Sequence, residues 1–339
     1  MTQKKRTLAA AAAICAIGVL AACGSSASSG GSAGGGGASA SGSQSLTVGI
    51  PPVVEIGDLY TADSMGFFAK QGITIHIDKL NGGAALVPAL ESGSVQIGQS
   101  NIVSVLQAQQ QNIGMKCFAA GYRSPSASSG DELSLVVSGK DTSSVTSPSG
   151  LAGKTIAVNS LDNSNQLVAD AYLAGHGVNP SSVHFVALAY PDMPTALSSG
   201  RVAAAITDEP FTTIVKTQGA KVLAAQPDSA ITANPVYACW VAPESWLSSH
   251  KQVAAKFVAA LKQADSYMAA HPGYLASILP KYTTVSASLA KQVTLPDFTT
   301  TLTAADVQPW AQAAARYGMT RSVVSPSSTI MNIAPATGS

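Results

Sequence analysis

The sequence predicts an α/β protein of two lobes, each a mixed, mostly parallel sheet flanked by helices. Strand-like and helix-like segments alternate through two successive rounds, residues 46–138 and 147–225. One short frame, Ala-Leu-x-Ser-Gly-x-Val, occurs once in each round, from Ala89 and again 107 residues later from Ala196. The chain is also long and apolar enough for two cores: 339 residues, 46% hydrophobic and only 11% charged.

The N-terminus stands apart from both lobes. Lys4, Lys5 and Arg6 precede the uncharged run LAAAAAICAIGVL, the pattern of a secretory signal. The run is too short to span a membrane comfortably. Its end, Leu20-Ala21-Ala22-Cys23, resembles a bacterial lipobox. The resemblance implies a signal peptide over 1–22 and a lipid-modified, palmitate-bearing Cys23 that anchors the chain to the outer face of the cell membrane. Residues 24–45 are Gly, Ser and Ala with a single Gln and no charge. They cannot bury a core and predict, with Cys23, a flexible tether over 23–45 with a mean reach of about 25 Å. No Gly-Lys-Ser/Thr follows these glycines, so they are not a phosphate loop.

The elements then follow in order. LTVGI is a strand, LYTADSMGFFAKQG has helical spacing up to Gly72, and ITIHI alternates as a half-buried strand does. AALVPALESG is a helix leading into the strand VQIG, and NIVSVLQAQQQ is a helix before the strand MKCFAAG. LSLVVS is a further strand. The second round reads strand KTIAV, helix NQLVADAYLAG, strand VHFVAL, helix MPTALSSG, strand VAAAIT, helix FTTIVKTQG and strand AKVLAA. After NPVYACWVA the pattern turns helical, with Val253, Phe257, Leu261, Ala264 and Met268 on one face and a Thr303/Asp306 capping box further on. In both copies of the repeated frame a glycine, Gly93 or Gly200, ends the helix in a left-handed conformation. The valine after it begins a buried strand, and polar residues follow. Ligands of open α/β sheets bind beyond the carboxyl ends of strands. Gln99-Ser100-Asn101 and Asp208-Glu209-Pro210 therefore fall where two lobes face one ligand.

Charge and reactive residues narrow the function. Taking the three bases of residues 1–22 from the nineteen in the chain leaves 16 against 18 acids, with no basic run. That excludes ordinary nucleic-acid binding. With Cys15 in the signal and Cys23 lipidated, Cys117 and Cys239 remain, either as a disulfide or as two separate buried thiols. Neither has Cys or His partners at metal spacing, so no metal site is expected. The five histidines (His76, His176, His184, His250, His271) are scattered, and no nucleophile elbow or HExxH is present. No cofactor is expected.

The segments ADSMGFFAKQGI, GGAALVPALESGSVQIGQSN, GLAGKTIAV, ALSSGRVAAAITDEPF and PVYACWVAPESW resemble, in order, the type II periplasmic substrate-binding proteins of ABC importers. The branch is that of nitrate, sulfonate, taurine and thiamine-pyrimidine-precursor binding. The resemblance implies a monomeric two-lobed receptor that closes on a small solute and presents it to permease and ATPase subunits on other chains. It also implies a discontinuous first lobe, residues 46–140 and 236–339, around a second lobe, 141–235, with crossings near Ser138–Ser149 and Asp228–Pro235.

The family's ligand loops map onto Pro52 to Tyr60, including Glu55, Asp58 and Tyr60; onto Asn81, Gly82 and Gly83; and onto Gln99, Ser100 and Asn101. Tyr122 and Arg123, Asn159 to Asn165, and Asp208 and Glu209 complete the set. Ser164 or Asn165 would cap a helix whose free N–H groups face the ligand. Gly82 and Gly83 would let backbone amides approach it, and Tyr60, Tyr122 and Trp240 could stack on it. These loops hold one base, Arg123, against Glu55, Asp58, Asp208 and Glu209. Unpaired carboxylates in a closed cleft are costly, so a solute with an amine, amidine or polar ring, or a zwitterion, suits them better than a bare anion. The competing readings are an enzyme of the same fold acting in pyrimidine synthesis, and a surface lipoprotein without a transport role.

Overall fold

The computed structural model describes residues 43–125 and 130–334. The signal peptide, Cys23 and the tether up to residue 42 lie outside the described residues. The expected tether ends slightly earlier than the sequence suggested, because Gln44 and Ser45 pair with Ile73 and Thr74 in the first strand ladder.

In chain order the strands are β1 (Gln44–Ile50), β2 (Ile73–Lys79), β3 (Ile97–Asn101), β4 (Met115–Arg123), β5 (Leu133–Val137), β6 (Thr155–Val158), β7 (His184–Ala187), β8 (Ala204–Asp208), β9 (Lys221–Ala225), β10 (Val236–Pro243) and β11 (Asp297–Phe298). The helices before the second sheet are α1 (Gly57–Ser64), α2 (Phe67–Lys70), α3 (Gly83–Glu91) and α4 (Ile102–Gln110). Those of the second lobe are α5 (Ser164–Gly175), α6 (Met193–Ser199) and α7 (Phe211–Thr217). After the return come α8 (Glu244–Ser249), α9 (Lys251–Ala270), α10 (Tyr274–Tyr282), α11 (Ala304–Arg316) and α12 (Pro326–Thr329).

The strands form two sheets, β11-β4-β10-β3-β1-β2 and β7-β6-β8-β5-β9. Among the named strands, parallel pairing joins β2-β1-β3 and β7-β6-β8, the flanks built by strand–helix–strand units. The two strands that enter a sheet from the other one, β5 and β10, run antiparallel to both neighbours. Both sheets are therefore mixed.

The first crossing lies earlier than the sequence suggested. All five residues of β5 are buried, and the strand pairs with β8 and β9 of the second sheet. The chain changes lobe between Arg123 and Leu133, so residues 133–140 belong with the second lobe rather than the first. The Ser- and Asp-rich stretch after Val137 is instead tied down within the second lobe. There Ser138 N–H donates to the Ala203 carbonyl and Ser138 Oγ to the Leu197 carbonyl. The chain returns to the first sheet between Ala225 and Val236.

Both copies of the repeated frame build a helix, a left-handed glycine and a strand. Gly93 has φ 74° and Gly200 φ 72°, a region costly for residues with a Cβ. Val95 and Val202 are buried two residues before β3 and β8 begin. On α9 Phe257, Leu261 and Ala264 face the core, while Val253 and Met268 are only half-buried. The Thr303/Asp306 capping box is formed at the start of α11.

Candidate functional site

Strand tips from both sheets converge on one cleft. The first lobe contributes Gly49 and Ile50 at the end of β1, Pro51 and Val53 after it, Leu80 beyond β2, and Gly82, Gly83 and Leu86 at the start of α3. It also contributes Gln99, Ser100 and Asn101 from β3, Tyr122 from β4, and Tyr237 and Ala238 from β10. The second lobe contributes Asn159 after β6, Asn165 on α5, Tyr190 after β7, and Asp208 at the end of β8. The atom-free space is about 500 Å³, including the part open to solvent. No Lys, Arg or His is among these lining residues.

At the cleft's edge Asn101 fastens the lobes together. Its Oδ1 accepts from Ser104 N–H at 3.0 Å, within α4, and from Ser164 Oγ at 3.0 Å and Ser164 N–H at 3.3 Å across the cleft. Asn81 Nδ2 donates to the Asn159 carbonyl at 3.4 Å, and Gln107 Nε2 to the Asp162 carbonyl at 2.6 Å. The cap of α5 is Asn163, which accepts from the N–H groups of Asn165 and Gln166. This corrects the expectation of Ser164 or Asn165 as cap: Ser164 turns to Asn101, and Asn165 points into the cleft. The N-terminus of α3 differs in having no side-chain cap. Its N-cap Gly82 has φ 74°, and a Cβ on Gly83 would lie 2.5 Å from Ser104 Oγ, so both positions favour glycine.

Deeper in, four side chains form a chain of hydrogen bonds. Tyr237 Oη donates to Asn165 Oδ1, Asn165 Nδ2 donates to Tyr190 Oη at 3.0 Å, and Tyr190 Oη donates to Asp208 Oδ2. The other oxygen, Asp208 Oδ1, is buried with no partner among the described residues. Burial pushes the Asp208 carboxyl up to about 7; the Tyr190 hydrogen bond opposes this and the nearby Asp228 adds to it.

Behind Asp208 lie further acids rather than bases. Glu55, Glu132 and Asp228 are all fully or almost fully buried. Burial, then the charges of Glu132 and Asp208, holds Glu55 well above the ordinary carboxyl range. Burial and Asp208 do the same to Glu132, and burial brings Asp228 to about 6.

Several residues expected at the ligand do not line the cleft, Glu55, Asp58, Tyr60, Arg123, Glu209 and Trp240 among them. Glu55 accepts from Glu209 N–H at 3.1 Å through Oε1, joining the lobes beneath the cleft floor. Glu209 is spent on Thr213 N–H and Oγ1 and on Thr294 N–H. Asp58 is buried in the first lobe, accepting from Leu59 N–H and Trp240 Nε1. Tyr60 stacks on Tyr282 with ring centres 4.3 Å apart, and Trp240 packs edge-on against Phe257 in the core. Arg123 donates to the Asn234 carbonyl and pairs with Asp306 at 2.7 Å, which removes the only base from the expected set. Tyr190 and Tyr237 were missed by the sequence reading. Tyr190 sits just past the tip of β7, where the strand-tip rule would have found it.

Cys117 and Cys239 are bonded to each other across the neighbouring strands β4 and β10, with Cα atoms 5.6 Å apart. Among the described residues no group of His, Cys, Asp or Glu is arranged to hold a metal ion. No helix there is long and apolar enough to cross a membrane.

With this geometry in hand, the chain compares closely with known solute-binding proteins. It is 27% identical over 229 residues to the taurine-binding periplasmic protein of Escherichia coli (strain K12), covering 67% of this chain and 68% of that protein. The fold matches the alkanesulfonate-binding protein SsuA from Xanthomonas axonopodis pv. citri, solved with MOPS bound. The TM-score is 0.74 at 16% identity, over 86% of this chain and all of that one. It also matches the periplasmic nitrate-binding protein NrtA from Synechocystis PCC 6803 with a TM-score of 0.71 at 12% identity, over 81% and 82% of the two chains. The family model described as NMT1/THI5 like matches residues 54–274, a span that holds every cleft residue named above except Gly49 to Pro51 and Val53, and the chain belongs to that family.

Proposed function

We propose that this chain is the extracytoplasmic solute receptor of an ABC-type importer, and that it captures a small zwitterion with an amino group at one end. The observation that carries this reading is the cleft lined by no base, in which Asp208 Oδ1 has no partner among the described residues. A buried carboxylate oxygen of this kind is costly unless a cationic donor meets it. At the other side, the uncapped N-terminus of α3 offers backbone N–H groups and the positive end of the helix dipole to an anionic group. Ile50, Leu80 and Leu86 supply an apolar wall for a short spacer between the two charges. The taurine-binding relative supports an aminosulfonate as such a solute.

Capture works by closure. The bonds from Asn101 and Asn81 to the second lobe form only when the lobes meet, so a solute that holds both lobes shifts the equilibrium to the closed form. The closed receptor acts as a monomer without turning its solute over. It is tethered to the membrane through Cys23 and delivers to permease and ATPase subunits on other chains.

The test is thermal-shift screening followed by calorimetry with 2-aminoethanesulfonate, alkanesulfonates, nitrate, aminopyrimidines and amino acids. Saturable binding of an amine-bearing solute, with alkanesulfonates of equal length bound at least tenfold more weakly, is expected. Tight binding of nitrate or of an amine-free sulfonate would overturn the charge assignment.

A further inference from the structure

Tyr237 belongs to the first lobe, whereas Asn165, Tyr190 and Asp208 belong to the second. The relay of hydrogen bonds ending on Asp208 therefore begins across the cleft. Each link fixes the next. Tyr237 occupies Asn165 Oδ1, which leaves Asn165 Nδ2 to donate to Tyr190, whose own proton is then directed to Asp208 Oδ2. Opening the lobes would remove the first donor and free the amide to turn.

Asp208 is also crowded by like charges. Glu55 from the turn before α1, Glu132 before β5 and Asp228 after β9 face it, with Glu209 next in the chain. The phenol of Tyr190 donates to it, and those of Tyr122 and Tyr237 line the same cleft. No Lys, Arg or His lines the cleft beside it, and Arg123 and Lys216 are engaged with Asp306 and Asp131. Buried carboxylates so close together and without a cation cannot all be ionised.

We propose that solute capture here is proton-linked: the cationic group of the solute displaces a proton from Asp208 Oδ1, and Tyr237 is the positioning residue through which lobe closure favours the ionised carboxylate. The step balances as carboxylic acid plus ammonium giving a carboxylate–ammonium pair and one proton released to solvent. This rests on the amine reading above and adds to it a stoichiometry and a residue.

Two measurements test it. In calorimetry with 2-aminoethanesulfonate, the heat measured in phosphate and in Tris should differ by the release of about half a proton per solute at pH 7 and nearly one at pH 6. Affinity should rise about tenfold per pH unit below 7 and level off above it. Binding with identical heats in the two buffers overturns the proton linkage while sparing the amine reading. Failure of this probe to bind falls on the amine reading, and the second measurement still decides the relay. It needs no solute: the Asp208 carboxyl carbon, assigned by its loss in Asp208→Asn, is titrated by NMR. Tyr190→Phe, which removes the direct donor within the second lobe, should move its midpoint upward by roughly half a unit, and Tyr237→Phe by less, in proportion to the closed fraction of the solute-free protein. An unmoved midpoint in both variants overturns the relay. Two variants are used so that one failing to fold leaves the other to decide.

Discussion

Asn101 and Asp208 occupy the same place in the two repeated helix–turn–strand units, each as the last residue of its strand, and both line one cleft. One position carries an amide that fastens the lobes, the other an acid with an open oxygen. The repeated frame thus delivers two different chemistries to facing points.

Asn101→Ala removes the acceptor of three hydrogen bonds, one of them the cap of α4. A loss of about 1 kcal/mol in stability is expected from the cap. Solute affinity should fall roughly tenfold as closure becomes less favourable. Melting curves and calorimetry together check this, and an unchanged affinity would show that the clasp plays no part in closure.

Asp208→Asn keeps the shape of the side chain and removes its charge. Affinity for 2-aminoethanesulfonate should drop at least thirtyfold, about 2 kcal/mol. The variant should melt no lower than the parent at pH 8, because a buried carboxylate no longer has to ionise. A thirtyfold loss matched by an equal loss for an amine-free sulfonate would point to a damaged cleft.

Arg123→Ala should leave solute affinity within about twofold. The guanidinium sits on Asp306 and the Asn234 carbonyl, outside the cleft, and a partly exposed pair of this kind is worth about 0–1 kcal/mol. A tenfold or larger loss in calorimetry would return Arg123 to the ligand.

The ligand-free protein should be more stable in mild acid than at neutral pH. Burial raises Asp208 and Glu209 to about 7 and Asp228 to about 6, and pushes Glu55 and Glu132 upward as well. The folded chain therefore holds more protons than the unfolded one. The stabilisation is complete below the ordinary carboxyl values near 4 and is lost as pH rises to about 7. Asp306 works against this at low pH: burial raises it, but bonds from Thr303 and Arg123 outweigh burial and hold it low. Melting temperatures between pH 5 and pH 8 should decline, and a rise across that window would contradict the buried-acid picture.

What could be read in the sequence was local. Glycines at 93 and 200, the apolar strands and the polar ends of β3 and β8 follow from short-range chemistry, and Gln99, Ser100, Asn101 and Asp208 sit at those ends and line the cleft. Less visible was what the neighbours do with a polar side chain. Glu55, Asp58 and Glu209 look like cleft acids in a loop, yet backbone N–H groups, Trp240 and Thr213 claim them once the lobes pack. The crossing before β5 was hidden for a similar reason: Leu133–Val137 reads as one more strand of its round, and only pairing with β8 and β9 assigns it to the second sheet. Tyr237 sits in an apolar strand, where an aromatic ring reads as core. Its hydroxyl matters because Asn165 arrives on α5 from the other lobe.

The bond between Cys117 and Cys239 has a topological consequence. One cysteine lies in the strand that leads out to the second sheet and the other in the strand that leads back, 122 residues apart. Covalently, the whole distal lobe is a ring clamped at its base. A single protease cut anywhere in that ring leaves two fragments that migrate as one molecule until a reductant is added.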